Sequence, residues 1–316
     1  MKRARFKYIF LIAATGLLIL AYASGFLLKP YALTDKKTYY AYASCYPVYA
    51  LGCMITKDVP DMNLRLLTAP QETGYTQYAL SDWEKALARQ ADIAILFGGG
   101  FEAFDGDDSL SSSICIRLLG GLALSSIPED ADVYGSGGTI NAIPWPHLSS
   151  EGAMDLCEAL CANLSVADEA YSYMYLKNLN DAYDRLRTLK DEADEFGLLR
   201  GENVALAHPG LIYIAQELGA NVTCALNRDT CANPSDEDIA LLLDSMQLTH
   251  THTVFIEKQA DEALKTIFKE KGICLIELDL MLDMDANFGS DGYFQAYRTN
   301  LSAIREAYDE KSNDLY

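Results

Sequence analysis

The sequence lacks the short motifs by which many enzymes and structural zinc sites are recognised. It has no HExxH, no GxSxG, no P-loop and no GxGxxG that opens a helix after a strand, which argues against the corresponding enzyme classes. None of its eight cysteines forms a CxxC pair, so a structural zinc knuckle is not indicated. Cys45 ends the first predicted strand, where a buried or disulfide-bonded cysteine is far more common than a nucleophile. We therefore predict that the protein is not an enzyme.

Acidic residues are absent from residues 1–29, so the charge of this segment is entirely positive. Four of the first seven residues are basic, and residues 8–28 form an uncharged run of 21 residues. At about 1.5 Å per residue, such a run just spans a hydrocarbon core of about 30 Å. Residues 1–29 are therefore predicted to be an export signal or a membrane anchor whose N-terminus stays inside.

Two interpretations of this segment remain open. Ala21-Tyr22-Ala23 is an A-x-A site, so cleavage before Ser24 would release the protein as a secreted or periplasmic domain. Without cleavage, the segment would hold the protein on the extracytoplasmic side of the cell membrane. The segment contains no cysteine, which excludes a lipid-modified cysteine as the anchor.

The rest of the chain is strongly acidic. From residue 30 onward it carries 20 basic and 45 acidic residues. This excess of negative charge repels phosphates and argues against nucleic acid as a partner. It fits a soluble domain outside the membrane and mildly favours cations. About 285 residues remain, which is enough for two packed lobes or one large domain.

Strand and helix patterns alternate along the chain, which predicts an α/β fold with mainly parallel sheets and helices on their faces. Ser81 and Glu84 have the spacing of a capping box, and Ser235 and Asp238 repeat it. The predicted strands cover residues 38–44, 64–67, 91–97, 203–207, 253–257 and 274–279. The predicted helices cover residues 46–55, 82–90, 260–271 and 293–308, with a loop and helix over 208–218.

One long helix is predicted between the two α/β series. Apolar residues recur at helical spacing from Ala167 to Glu195, no proline or glycine interrupts the run, and Gly197 can take the C′ position. The expected architecture is two lobes bridged by one helix. Its predicted domains are an N-terminal α/β lobe at 30–166, a bridging helix at 167–197 and a C-terminal α/β lobe at 198–316.

The best candidates for a disulfide are Cys224 and Cys231. Disulfides are permitted in an exported chain, and these two cysteines flank a polar stretch that is interpreted as a loop. Cys157 and Cys161 stand one helical turn apart on an apolar face. They are interpreted first as small core residues and second as metal ligands.

Two stretches in the second half of the chain have the spacing of metal-ligand motifs. Residues 208–219 contain a His at a predicted strand end, a Tyr five residues later and a Gly eleven residues later. Asp279 also follows a predicted strand, and Tyr293 and Asn300 come after it with six residues between them.

Two stretches in the first half complete a resemblance to one protein family. Residues 91–102 contain the pattern ADxxxxxGxGxE, and residues 46–51 read YPVYAL. Together with the later motifs, they resemble the zinc/manganese class of solute-binding proteins that serve ABC transporters. The resemblance covers almost all of residues 38–310.

This resemblance implies two α/β lobes bridged by a rigid helix, with a metal ion held in the cleft between them. The implied cargo is a divalent cation, zinc or manganese, and the implied partners are an ABC permease and its ATPase. His208 matches the family's third ligand motif, and Asp279 matches its fourth ligand region. The implied location is extracytoplasmic.

Two of the family's four ligand positions are occupied here by residues with no metal-binding group. Gly74 stands where the family has its first ligand His, eight residues before Asp82, and Trp145 stands where it has the second. His147 lies two residues beyond Trp145, and Glu72 lies in the loop of the other lost ligand. The predicted ligand set is therefore His208, Asp279, His147 and Glu72.

The aromatic residues near these positions support an alternative hypothesis. Trp145 and Tyr75 could fill the space of a metal ion or stack on an organic solute. The protein would then be a degenerate two-lobed binding or surface protein with a non-metal ligand or none. Glu257 ends a predicted strand and is a further ligand candidate, whereas His250 and His252 precede that strand and are interpreted as structural or surface residues.

Overall fold

The computed structural model describes residues 37–71, 74–135, 142–195, 197 and 199–313, with side chains described up to residue 309. The predicted signal or anchor at 1–29 and the candidate ligand Glu72 lie outside these residues. Within the described part of the chain, no helix combines the length and the apolar character needed to cross a membrane.

The first lobe is organised around a four-stranded parallel sheet. Its strands are β1 (Tyr39–Ala43), β2 (Met62–Leu66), β3 (Ile93–Leu96) and β4 (Ile114–Arg117). They lie in the order β2-β1-β3-β4, and every neighbouring pair is parallel. All four residues of β3 are buried, as expected for a central strand that is covered on both faces.

Two helices follow the first two strands, α1 (Tyr46–Ile55) and α2 (Asp82–Ala88). The predicted capping box at the start of α2 is confirmed. The Ser81 hydroxyl accepts a hydrogen bond from the Glu84 amide, and the Glu84 carboxylate accepts one from the Ser81 amide at 2.7 Å. The same carboxylate accepts from the Tyr78 hydroxyl at 2.7 Å, so the cap also holds the preceding loop.

Two helices, α3 (Ser150–Ala167) and α4 (Ser172–Asp194), connect the two halves of the chain. The prediction of one helix starting at Ala167 is wrong at that end, because Asp168 leaves helical geometry with φ −135° and ψ 70°. The Tyr175 hydroxyl donates to the Asp168 carboxylate at 2.8 Å and stabilises this turn. The long bridging helix is therefore α4, with 23 residues.

The second lobe has a five-stranded sheet, and all its paired strands are also parallel. Its strands are β5 (Asp132–Tyr134), β6 (Asn203–Leu206), β7 (Asn221–Leu226), β8 (Thr253–Glu257) and β9 (Cys274–Leu278). They lie in the order β5-β7-β6-β8-β9. The predicted fold class, two parallel α/β lobes with one long helix, is confirmed.

The edge strand β5 comes from the first half of the chain. Asp132 pairs with Cys224 and Val133 with Ala225, so β5 extends the second sheet. Residues 132–134 nevertheless lie within 30–166, the range predicted for the N-terminal lobe. The sequence crosses between the lobes before α3, and the predicted domain boundaries remain a prediction.

Four helices complete the second lobe: α5 (Ile212–Glu217), α6 (Asp236–Leu248), α7 (Glu262–Glu270) and α8 (Gly289–Asn313). The capping box of Ser235 and Asp238 at the start of α6 is confirmed. One buried apolar cluster includes residues of β1, α3, β6 and α8, so the two lobes share a core. A smaller cluster lies between α6, α7 and the faces of β7 and β8.

The predicted disulfide between Cys224 and Cys231 is wrong, because the two cysteines occupy different surroundings. Cys224 lies inside β7 with a fully buried side chain. The Cys231 thiol donates to the carbonyl oxygen of Gln259, and neither cysteine is part of a disulfide. Cys157 and Cys161 are buried on α3 and agree with their interpretation as core residues.

We predict that Asn178→Ala will lower the free energy of unfolding by about 1–3 kcal/mol, because one buried and one partly buried carbonyl group lose their donor. The Asn178 amide nitrogen donates to the carbonyl oxygens of Ile55 at 2.9 Å and Lys57 at 2.7 Å, which ties α4 to the end of α1. Urea unfolding measures the change. Asn180→Ala is the control, since the exposed Asn180 side chain bonds only within its own helix. Equal effects of the two substitutions would contradict the prediction.

Candidate functional site

The segments that follow five strands meet at one cleft. Because the carboxyl ends of parallel strands share one edge of a sheet, the segments after β2 and β3 and those after β5, β6 and β7 can converge. A cavity of about 140 Å³ lies between them. The residues that line it and matter for its chemistry are Gly74, Phe101, Trp145, His208, Asp229 and Thr230.

His208 is buried and has both ring nitrogens engaged. Its Nδ1 accepts a hydrogen bond from the Gly210 amide at 3.1 Å, which caps the short turn after β6. Its Nε2 lies 3.2 Å from the Thr230 hydroxyl. Burial, and then the neighbouring Arg228 guanidinium, hold the pKa of His208 well below its usual value. The imidazole is therefore neutral, and its proton is on Nε2 because Nδ1 acts as the acceptor.

Trp145 covers one side of His208. The two rings meet edge to face with centroids 4.8 Å apart, and Phe101 contacts the indole at 5.0 Å. Gly210 makes this contact possible, since a Cβ atom there would come within 2.7 Å of the indole Cγ. The indole thus occupies space beside the imidazole that a ligand would otherwise use.

Gly74 approaches His208 from the opposite loop. Its φ of +76° favours glycine, and a Cβ atom on it would lie 3.1 Å from the Thr230 hydroxyl oxygen. Gly74 therefore allows Thr230 to reach the His208 ring. The two positions that the family resemblance assigned to lost ligands, Gly74 and Trp145, do line the cavity that contains His208.

His147 lies in the core and does not line this cavity. Its ring stacks on Phe97 with centroids 5.1 Å apart, its Nε2 lies 3.2 Å from the Leu280 carbonyl oxygen, and burial lowers its pKa to about 4. The Tyr293 hydroxyl donates to its backbone carbonyl at 2.8 Å. The structure corrects the prediction of His147 as a metal ligand, because the ring is enclosed by aromatic and backbone groups.

The Asp279 carboxylate is engaged within its own loop. One carboxylate oxygen accepts from the Met281 amide at 2.6 Å, and the other lies 3.8 Å from the Lys258 ammonium. Asn300 bonds to the backbone of Asp279 on both sides, at 2.7 and 2.9 Å. Asp279 does not line the cavity that contains His208, and its role as a metal ligand stays a prediction. Its carboxylate instead caps the loop after β9.

Glu257 forms a buried ion pair that the sequence interpretation missed. Its carboxylate accepts from the Arg228 guanidinium at 2.6 Å and from the Cys231 amide at 3.2 Å. Arg228 also donates to the Ala232 carbonyl at 3.0 Å. The Glu257 carboxylate is therefore paired with Arg228 in the buried interior. No strand is predicted from the sequence at residues 221–226, where the structure has β7. A strand predicted there would place Arg228 just after its carboxyl end, beside the cleft.

The described residues contain no group of three or more His, Cys, Asp or Glu side chains that could hold a metal ion. The cavity brings together His208, Asp229 and the Thr230 hydroxyl, with Trp145 on one side. Two α/β lobes joined by one long helix, with a cavity lined by loops of both lobes, form the architecture of a two-lobed binding protein.

The family model described as zinc-uptake complex component A, periplasmic (ZnuA), matches residues 42–307. The chain belongs to this family. It is therefore the extracytoplasmic solute-binding component of a metal-type ABC importer, it works with a permease and an ATPase, and it is not an enzyme. The prediction of this family from the sequence motifs is confirmed.

Several solved structures share the fold. FpvC from Pseudomonas aeruginosa, in complex with Mn²⁺, has a TM-score of 0.73 and 20% identity over 87% of this chain and 100% of that chain. The laminin-binding adhesin Lmb from Streptococcus agalactiae has a TM-score of 0.69 and 16% identity, with 85% and 99% covered. The Zn(II)-bound ZnuA-like domain of AdcA from Streptococcus pneumoniae has a TM-score of 0.65 and 21% identity, with 85% and 98% covered. No curated protein matches the chain.

We predict that acid will destabilise the protein in part through His147. Its pKa of about 4 in the folded protein lies below the ordinary value of 6.5, so the unfolded chain binds the proton first as the pH falls. Stability is then lost between these two pH values, by up to about 3 kcal/mol. His147→Phe, which keeps a ring against Phe97, should show a smaller loss in urea unfolding between pH 7 and pH 4.5.

The control for this experiment is His252→Gln, because His252 is exposed at the start of β8. It should retain the full acid sensitivity of the unmodified chain. If His147→Phe and the unmodified chain lose the same free energy of unfolding, the assignment of the proton to His147 is incorrect.

Proposed function

We propose that the cleft binds a divalent cation as cargo and that His208, Asp229 and Glu72 are its protein ligands. The observation that supports this is the position of His208, buried at the cavity where loops of both lobes meet. Asp229 lines the same cavity and is exposed. Glu72 stands two residues before Gly74 in the sequence. Imidazole and carboxylate groups are ligands that suit both zinc and manganese.

His208 must exchange its hydrogen bonds before it can bind a cation. The proton on Nε2 has to leave that nitrogen, and the Thr230 hydroxyl that lies 3.2 Å away has to move aside. If the proton moves to Nδ1, the contact with the Gly210 amide is lost. Binding therefore competes with protons, and affinity should fall as the pH is lowered.

We predict that His208→Ala will weaken zinc and manganese binding by at least about tenfold, because a directly bound ligand matters at least as much as the groups that orient it. Isothermal titration of the purified full chain with each metal alone measures the affinity. His252→Ala is the control, since His252 lies at the opposite end of the second sheet from the cleft. Unchanged affinity in His208→Ala would refute the proposed site.

We predict that Trp145→His will tighten zinc binding by about tenfold, or about 1.4 kcal/mol, because it adds an imidazole beside His208. The smaller ring also vacates the space that the indole occupies over Gly210. The other tryptophan of the chain, Trp83, is exposed on α2, so Trp83→His is a matched control that should leave the affinity unchanged. Equal or weaker binding by Trp145→His would argue that no cation binds beside this ring.

A second candidate function is capture of a small anionic or aromatic solute in the same cavity. It is favoured by Arg228, which lines the cavity and whose Nε has no hydrogen-bond partner among the described residues. Phe101 and Trp145 provide aromatic walls. Thermal-shift measurements with metals and with organic anions separate the two functions. A chelator-sensitive zinc or manganese shift supports the cation, and a shift with organic anions alone supports this alternative.

We further propose that residues 1–29 hold the domain at the extracytoplasmic face of the membrane as an uncleaved anchor. The basic flank and the uncharged run of 21 residues support this, and a domain tethered there is positioned to deliver cargo to a permease. Release of the full chain from membranes by alkaline extraction would contradict the anchor.

A further inference from the structure

The cavity that contains His208 is larger than a bare ion needs. Its volume of about 140 Å³ corresponds to about four or five water molecules at about 30 Å³ each. A zinc ion lies about 2 Å from its ligand atoms, so an ion bound at the His208 imidazole fills only a small part of this space. The cavity therefore has room for an ion together with a small organic molecule.

The protein ligands do not complete the coordination of the ion. His208 supplies the one imidazole and Asp229 the one carboxylate among the described residues that line the cavity. Even with Glu72 added, three protein ligands leave one position open on tetrahedral zinc and three on six-coordinate manganese. Donor atoms from outside the protein have to fill these positions, either from water or from a chelating molecule.

The charged side chains of the cavity favour a cation that is accompanied by an anion. Among the described lining residues, only Arg228 and Asp229 are charged, and their charges cancel. The side chain of Arg228 is 5% exposed, and its Nε has no hydrogen-bond partner among the described residues. The Glu257 carboxylate is bonded to this guanidinium and does not line the cavity. A divalent cation therefore brings positive charge that this lining does not balance, and charges in a protein interior need a partner.

Three aromatic side chains form a wall of the same cavity: Tyr75, Phe101 and Trp145. All three are buried. The rings of Tyr75 and Phe101 stack with centroids 6.0 Å apart, and Trp145 meets Phe101 edge to face at 5.0 Å. Contacts between aromatic rings contribute more than the area they bury. Water that completes the coordination of an ion gains nothing from such a wall, whereas a flat organic chelator does.

We propose that the cargo of this cleft is a divalent cation that is already bound by a small planar chelator carrying a carboxylate. The nitrogen and oxygen atoms of the chelator fill positions that the protein ligands leave open. Its negative charge offsets that of the cation, and its ring packs against Phe101 and Trp145. This inference rests on the proposed function, because it requires His208 to bind the cation.

Two isomeric acids separate chelation from simple anion capture. Picolinate has its ring nitrogen next to its carboxylate, so both groups bind one metal ion, whereas in nicotinate they are too far apart. Equilibrium dialysis of the full chain measures the zinc retained from zinc chloride alone, with picolinate and with nicotinate. We expect picolinate to tighten zinc binding by about tenfold, which is within the usual coupling between two ligands, and to be retained with the zinc. Nicotinate should leave zinc binding unchanged.

The direction of the effect decides the outcome, because picolinate also binds zinc in solution. If the protein takes only the bare ion, picolinate competes for it and lowers the zinc retained. Unchanged or lower retention, in a chain that binds zinc without picolinate, overturns this inference and leaves the proposed function intact. A chain that retains no zinc under any condition overturns both. Equal retention of the two acids without zinc also overturns the inference, because the cavity then selects the anion itself.

Phe101→Leu tests whether the aromatic wall holds the chelator. The substitution keeps an apolar side chain but removes the ring, so the effect of picolinate on zinc binding should fall by about two- to tenfold. Phe104→Leu is the matched control, since Phe104 is a buried phenylalanine of the same loop that does not line the cavity. An equal effect of picolinate in the two variants would show that the chelator does not pack on this wall.

Discussion

Every paired strand described in the two sheets is parallel to its neighbours, and this arrangement determines where the protein can bind a solute. Parallel strands deliver all their carboxyl ends to one edge, so segments far apart in sequence, such as those around Gly74, Trp145 and His208, line a single cavity. The amino ends lie at the opposite edge and contribute nothing to that cavity.

The cleft combines the position of a metal site with the hydrogen-bonding character of an anion site. A cation needs lone pairs, yet the described cavity presents the protonated Nε2 of His208 and the indole of Trp145. The Gly210 amide keeps the imidazole in this tautomer, and the buried carboxylate of Glu257 is paired with Arg228. For His208 to bind a cation as we propose, its hydrogen bonds with Gly210 and Thr230 must first rearrange.

The fold could be predicted largely from local patterns, whereas the site could not. A helix cap such as Ser81–Glu84 is formed by residues three positions apart, so its pattern can be read directly in the sequence. The buried strands β3 and β8 are likewise visible as short apolar runs. β7 was missed because two cysteines suggested a loop. The start of α4 was missed because Asp168 breaks the helix without proline or glycine. His147 lies in the core because a shift of two residues along the chain decides whether a side chain faces a cleft or the core.

The contribution of β5 to the second sheet bears on how this polypeptide can be divided. Its partner β7 would become an open edge if the gene were cut at the predicted boundary after residue 166, and an open edge is a template for aggregation. The first-half fragment would meanwhile retain a strand with no sheet of its own. The second lobe thus depends on a strand from the first half of the sequence. The two lobes can therefore be expressed or recombined only together.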